Sequence, residues 1–242
     1  MVYSMTNQVT GYHLAVLCHK FRNRGRRFVS SILLQEDFTL PIHLTIFYCD
    51  PKDRAALESV ADKLDNVQYN NLTLEFSCVP ETKVMERSSW FSRLKNTEHL
   101  SHVVYTDCDL WFPPLFWKDH TESLEQLTPG YWSTYVWEIA YDHAEEFVHD
   151  TRIIKEGDLR RLTTYYRHNS CQGAVGHFQC VPISMSNYPC KYGLKSVAQM
   201  DHTFFKQALA MSSDKTKERR IGTVPAYHLG HPLCWKGTAQ VL

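Results

Sequence analysis

The sequence predicts an α/β fold, a mostly parallel central sheet flanked by helices with a small irregular region beside it. Two observations predict it. The first half alternates β-branched and aromatic runs with stretches of helical spacing, the pattern of successive βαβ units. Two acids, Asp50 and Asp107, stand just past the ends of such runs, where open α/β sheets place their ligands.

Taken in order, residues 13–18 read as a strand and 26–35 as a helix with Phe28, Ile32 and Leu33 inward. Residues 42–48 (IHLTIFY) are β-branched and aromatic, and Asp50-Pro51 ends that strand and opens a helix. Helical spacing then runs over 52–64 through Ala56, Leu57, Val60, Ala61 and Leu64. A strand follows at 72–79, a helix at 84–99 and a fourth strand at 102–106 (HVVYT). Right-handed crossovers would lay these strands parallel. The second half is less regular. Thr128-Pro129-Gly130 makes a turn before an aromatic strand at 131–137. The charged stretch 142–167 reads as helical, 172–181 carries Gly173 and Gly176, and 200–210 has the spacing of a short amphipathic helix. With no repeat, low-complexity segment or linker, a single domain over residues 1–242 is expected.

Composition narrows the function. A 43% hydrophobic and 21% charged chain is ordinary globular usage and excludes disorder. Lys+Arg and Asp+Glu are equal at 26 each, so no global field favours nucleic acid or an anionic membrane. No run approaches the ~18 apolar residues that span a bilayer. The first residues lack the basic-then-apolar order of a secretory signal, so a cytoplasmic protein is expected. The 8 cysteines include no CxxC pair, which excludes the usual structural zinc spacing. Cys18, Cys49 and Cys78 end apolar runs, where free Cys acts as a small buried hydrophobe. The sequon Asn71-Leu72-Thr73 reads as chance in an unexported chain.

The chemistry-bearing motif is Tyr105-Thr106-Asp107-Cys108-Asp109-Leu110-Trp111. Two carboxylates at i and i+2 after a buried strand cannot both enter the core unpaired. On a turn leaving the sheet they can converge on one hard divalent cation, Mn²⁺ or Mg²⁺, with coordination positions left for phosphate oxygens. The competing reading is a solvated turn with two surface acids.

This strand–DxD unit, HVVYTDCDLWF, resembles the signature of GT-A fold glycosyltransferases. The resemblance extends from His13 to about His231. It implies a GT-A-like fold with a nucleotide-binding half at 1–112 and an acceptor-binding half at 113–242. It also implies that Asp107 and Asp109 bind the cation and the diphosphate of a nucleotide sugar. A late histidine beside glycine would complete the metal shell, and in Tyr227-His228-Leu229-Gly230-His231-Pro232 both His228 and His231 fit. Asp201, placed by the sequence at the start of a helix, matches the general base of inverting members, with N-capping as its structural alternative. The arginines of Lys20–Arg27 offer forked donors for phosphate, and Arg22 is the candidate among them. Asp50 is a candidate for uracil or ribose, or a cap for the helix after Pro51. Arg93 is a further candidate for the diphosphate, and Gly173 for close approach of the donor sugar. Trp132, Trp137 and Trp235 are either sugar-stacking or core residues.

The expected activity is transfer of a hexosyl group from a nucleotide-diphosphate sugar, UDP-sugar by default, to a hydroxyl of a glycan, lipid or protein acceptor. A sugar-phosphate nucleotidyltransferase would carry an N-terminal Gly-rich loop with Lys, absent here. A non-catalytic carbohydrate-binding module would account for the aromatics but not for the acid–acid–His order.

Overall fold

The computed structural model describes residues 7–61, 68–80, 94, 99–139, 141–149, 163–166, 177–186, 197–212 and 219–230. Its first elements are β1 (Tyr12–Cys18), α1 (Arg22–Leu33), β2 (Ile42–Tyr48), α2 (Pro51–Ala61), β3 (Leu72–Cys78), β4 (His102–Asp107) and β5 (Leu110–Trp111). There follow α3 (Phe116–Glu125), β6 (Ser133–Ile139), α4 (Tyr141–His149), β7 (Thr163–Tyr166), β8 (Phe178–Pro182), α5 (Val197–Met211) and β9 (Arg220–Leu229).

The central sheet has the order β3-β2-β1-β4-β8. Its first four strands are parallel and β8 is antiparallel to β4. Alternation along β1 explains why helices cover both faces. Leu14, Val16 and Cys18 join Phe28, Val29 and Ile32 of α1 and Leu57 and Val60 of α2 in the main core. Ala15 turns to the other face, with Phe47, Val103, Tyr105 and the α5 residues Phe204, Phe205 and Ala208. A second sheet, β5-β9-β6-β7, adjoins the first through the bridge between Trp132 and Cys180. Its aromatic face, Trp111, Tyr227 and Trp137, packs with Ala144 and Phe147 of α4. Among the described residues, no helix is long and apolar enough to cross a membrane.

Several predicted elements shift. The first helix begins at Arg22 rather than 26, because Lys20, at φ 60°, turns the chain directly after β1. The stretch 142–167 is not one helix. Helix α4 ends at His149, and the β-branched and aromatic run Thr163–Tyr166 pairs with β6 instead. Cys18 is buried as expected, but Cys78 is exposed. The helix predicted at 84–99 lies outside the described residues except for Leu94 and His99.

Strand β9 is set by a kink. Gly222 has φ 84°, and a Cβ there would stand 2.6 Å from Asp119 Oδ2, so no side chain fits. Asp119 of α3 accepts hydrogen bonds from Thr223 N at 2.6 Å, Thr223 Oγ1 at 2.7 Å and Val224 N at 3.0 Å. The β6–β9 register slips between Thr134 and Val136, after which His228 stands opposite Glu138.

Three buried histidines fix the acid stability. Burial pushes His13 and His102 down to about 4 and His120 to about 3. Unfolded imidazoles titrate near 6.5. Between about pH 6.5 and 4 the unfolded chain therefore binds protons that the folded chain refuses, and stability falls as pH falls through that window. The urea midpoint is expected to hold steady above about pH 7 and to decline toward pH 4.5, a loss on the order of several kcal/mol. A midpoint unchanged over that range would contradict the neutral, buried state of these rings.

Candidate active site

The DxD turn is the junction of the two sheets. Asp107 ends β4 in the first, Leu110 opens β5 in the second, and only Cys108 and Asp109 lie between. Cys108 packs into the main core. A hydrogen bond to Cys18, burial, and the nearby Cys18, Asp109 and Asp107 all raise its pKa well above the thiol range. It is therefore a neutral packing group, not a thiolate ligand.

Strand β9 lies between β5 and β6, with His228 paired to Leu110 on one side and to Glu138 on the other. Leu229 N also donates to Asp109 O at 2.8 Å. His228 is thus set between two carboxylates. Its Nδ1 is 2.6 and 2.8 Å from the Glu138 oxygens and its Nε2 is 3.1 Å from Asp109 Oδ2. The three side chains are 1%, 4% and 6% exposed.

A third group joins from β8. Pairing of Thr106 with Phe178 brings His177 opposite Asp107. The His177 carbonyl accepts from Asp107 N at 3.2 Å and Thr106 Oγ1 at 3.0 Å. Its ring Nδ1 is 3.1 Å from Asp107 Oδ2, and its ring centroid is 4.4 Å from that of His228.

These residues fit a divalent cation. Two buried carboxylates flank one imidazole, so even a protonated ring leaves a net negative charge in the interior, which is costly without a further counter-ion. With Nδ1–H donating to Glu138, the Nε2 lone pair of His228 faces Asp109, an arrangement that a cation between them makes attractive. Asp109, His177 and His228 each offer one ligand atom, all within 4.8 Å of one another. Opposite ligands of a small octahedral cation stand about 4.2 Å apart, so modest side-chain adjustment closes the shell.

Of the acids and histidine that the motif order singled out, Asp109 and His228 stand 3.1 Å apart, while Asp107 faces His177. Arg22 and Asp50 sit at the same end of the central sheet, since β1 and β4 pair through Leu17 and Asp107 while β1 and β2 pair through Cys18 and Tyr48. Asp50 caps α2, accepting from Lys52 N at 2.8 Å, and is 3.6 Å from Arg22 Nη2. Arg22 is held more closely by Asp53, at 3.1 Å. Both Arg22 and Asp50 remain roughly half exposed. Asp53 was not singled out in the sequence. It is buried in the first turn of α2 and accepts from Lys20 N at 3.2 Å, fixing the turn after β1.

Other arginines of the cluster are structural. Arg24 donates to the carbonyls of Leu229 at 3.2 Å and Gly230 at 2.7 Å and pairs with Glu145 at 2.6 Å. Arg27 donates to Phe147 O at 3.0 Å. Trp132 is a core residue, with the Arg219 guanidinium 5.0 Å from its ring centre. Trp137 packs on Tyr227. Asp201 lies in α5, which begins at Val197 and has no acid in its first turn, so it is not the N-cap. Arg93, Gly173, His231 and Trp235 lie outside the described residues.

Sequence reasoning passed over His177 and Glu138. Glu138 was visible as the lone charged residue in the strand run STYVWEI. His177 was visible only as a polar residue heading β8; its contact with Asp107 depends on strand pairing 70 residues apart.

No protein-family profile matches the chain, and no curated protein matches it in sequence. Solved structures do match in fold. S. aureus TarS 1-349 aligns with a TM-score of 0.54 and 11% identity, over 90% of this chain and 60% of that one. The same fragment in complex with UDP-GlcNAc gives a TM-score of 0.56 and 10% identity, over 90% and 58% of the two chains. A longer TarS structure gives 0.52 and 10%, over 90% and 36%. The chain thus has a TarS-like α/β fold and spans about 60% of the length of the shorter TarS structure.

Glu138→Gln tests the role of the buried carboxylate. The amide still accepts from Nδ1–H but no longer raises the basicity of the ring. Affinity for Mn²⁺, measured by isothermal titration, is expected to fall about 10–100-fold with the fold intact by circular dichroism. Unchanged affinity would show that Glu138 only packs against the ring.

Proposed function

We propose that this chain is a metal-dependent glycosyltransferase that transfers a hexosyl group from a UDP-sugar to an acceptor hydroxyl. The carrying observation is the Asp109–His228–Glu138 chain at the DxD turn, in a fold shared with a protein solved in complex with UDP-GlcNAc. The DxD sequence supplies the second acid, and the late histidine reaches it from 119 residues away.

In this reading the nucleotide lies across the carboxyl ends of β1, β2 and β4. Asp50 accepts from the base or ribose and Arg22 faces the phosphates. Asp107 lies between the ribose and the cation site. Asp109 and His228 hold the cation, with His231 as the neighbouring alternative. Mn²⁺ or Mg²⁺, when bound, neutralises the charge of the departing diphosphate. Glu138 keeps the His228 Nδ1 proton in place so that Nε2 stays a ligand. The acceptor enters from the Gly173–Phe178 side, and Asp201 takes the proton of its hydroxyl. A glycan, a lipid or a protein can present such a hydroxyl. With no basic excess in the chain, nucleic acid is a poor acceptor class.

The test is a panel of nucleotide sugars with Mn²⁺, read as release of UDP. Asp109→Ala is expected to lower turnover by about 100-fold or more; turnover equal to wild type would overturn the reading. Pyrophosphate release from a nucleoside triphosphate and a sugar phosphate would establish a nucleotidyltransferase instead. Asp201→Asn is expected to reduce transfer by about 100- to 10,000-fold while UDP-sugar binding persists. Lost binding in that variant would reassign Asp201 to the donor site.

A further inference from the structure

We infer that His177 is a direct ligand of the cation and Asp107 its positioning residue, making a two-histidine, one-carboxylate centre that selects Mn²⁺ over Mg²⁺. This deepens the reading above and rests on it for the presence of a cation.

The two imidazoles are held in the same way. His228 has its Nδ1 on Glu138 at 2.6 Å, and His177 has its Nδ1 on Asp107 at 3.1 Å. A metal-binding histidine characteristically gives its other ring N–H to a carboxylate, which sets the tautomer and aims the free nitrogen. Both rings therefore offer Nε2, and one ligand atom from each lies within 4.8 Å of the other and of a carboxylate oxygen of Asp109. The rings stand side by side with centroids 4.4 Å apart and planes inclined by 39°. The position of His177 is no accident of a loose loop, since its carbonyl is held by both Asp107 N and Thr106 Oγ1.

Two consequences follow for the DxD pair. Asp107 has Oδ2 engaged by His177, so it acts on the cation through the imidazole, and Asp109 is the carboxylate ligand. Three protein ligands leave three octahedral positions for diphosphate oxygens and water. His177 is partly exposed where His228 is not, so the open positions lie on its side. Mg²⁺ prefers an all-oxygen shell and parts with water reluctantly. Imidazole nitrogens suit later, softer divalent ions, and two of them shift the preference toward Mn²⁺.

The test uses Mn²⁺ alone, followed by its paramagnetic resonance, with Mg²⁺ as competitor. Pulsed spectra of bound Mn²⁺ are expected to show two coupled imidazole nitrogens in the wild type and one in His177→Ala. Mn²⁺ affinity should fall at least about 10-fold in that variant, with the preference over Mg²⁺ reduced. Asp107→Asn should weaken Mn²⁺ about 10–100-fold in the wild type but add little on a His177→Ala background. His177→Asp should recover Mg²⁺ binding and lose the second nitrogen coupling, which separates a ligand from a packing residue. One nitrogen in the wild type, or equal Mn²⁺ affinity in His177→Ala, overturns the inference. UDP-sugar turnover surviving that outcome would leave the glycosyltransferase reading standing. Two nitrogens without any UDP-sugar turnover would sink that reading and leave this centre in place.

Discussion

The imidazole of His228 lies between two buried carboxylates, and much of the second sheet serves to hold it there. Glu138 faces one ring nitrogen and Asp109 the other, and none of the three is open to solvent. Such a group is tolerable in a protein interior only when positive charge balances it. That constraint makes the site chemically specific. It also requires a rigid surround, because a small rotation of the ring would break both contacts.

The rigidity comes from ordinary parts placed with care. Asp119 sets the phase of β9 at the Gly222 kink. The interlocked Trp111, Tyr227 and Trp137 back the opposite face of the same strands. Arg24, reaching from α1, holds the carbonyls of Leu229 and Gly230 just past His228. A basic run that suggests phosphate binding thus divides its work. Arg22 stays at the sheet edge, while Arg24 and Arg27 tie the first helix to the C-terminal part of the chain. The DxD turn spans both layers, ending a strand of the parallel sheet and starting one of the other, so its two acids stand at the junction of the sheets.

Most of the central sheet was legible in the sequence. The strands at 42–48 and 102–106 agree with the observed β2 and β4 to within a residue, because uninterrupted β-branched and aromatic runs flanked by polar turns admit little else. Reading weakened where charge masked the pattern. The first helix was expected only from residue 26 because the arginines before it hide the helical spacing that leads to Phe28, Val29 and Ile32. The stretch 142–167 looked uniformly helical because charged residues are compatible with a helix and with the loops between elements. Asp201 was expected at the start of its helix because that helix begins earlier than the apolar spacing shows.

By itself, then, the sequence determined the α/β alternation, the acid pair at a strand end and the late histidine, since each is written in a run of neighbouring residues. Only the tertiary structure decided that His228 meets Asp109, that Glu138 stands behind it, and that His177 leans on Asp107. Those contacts join residues 70 to 119 positions apart. They arise from strand pairing and from one kink in β9, and a one-residue slip in either would turn the side chains to the opposite face.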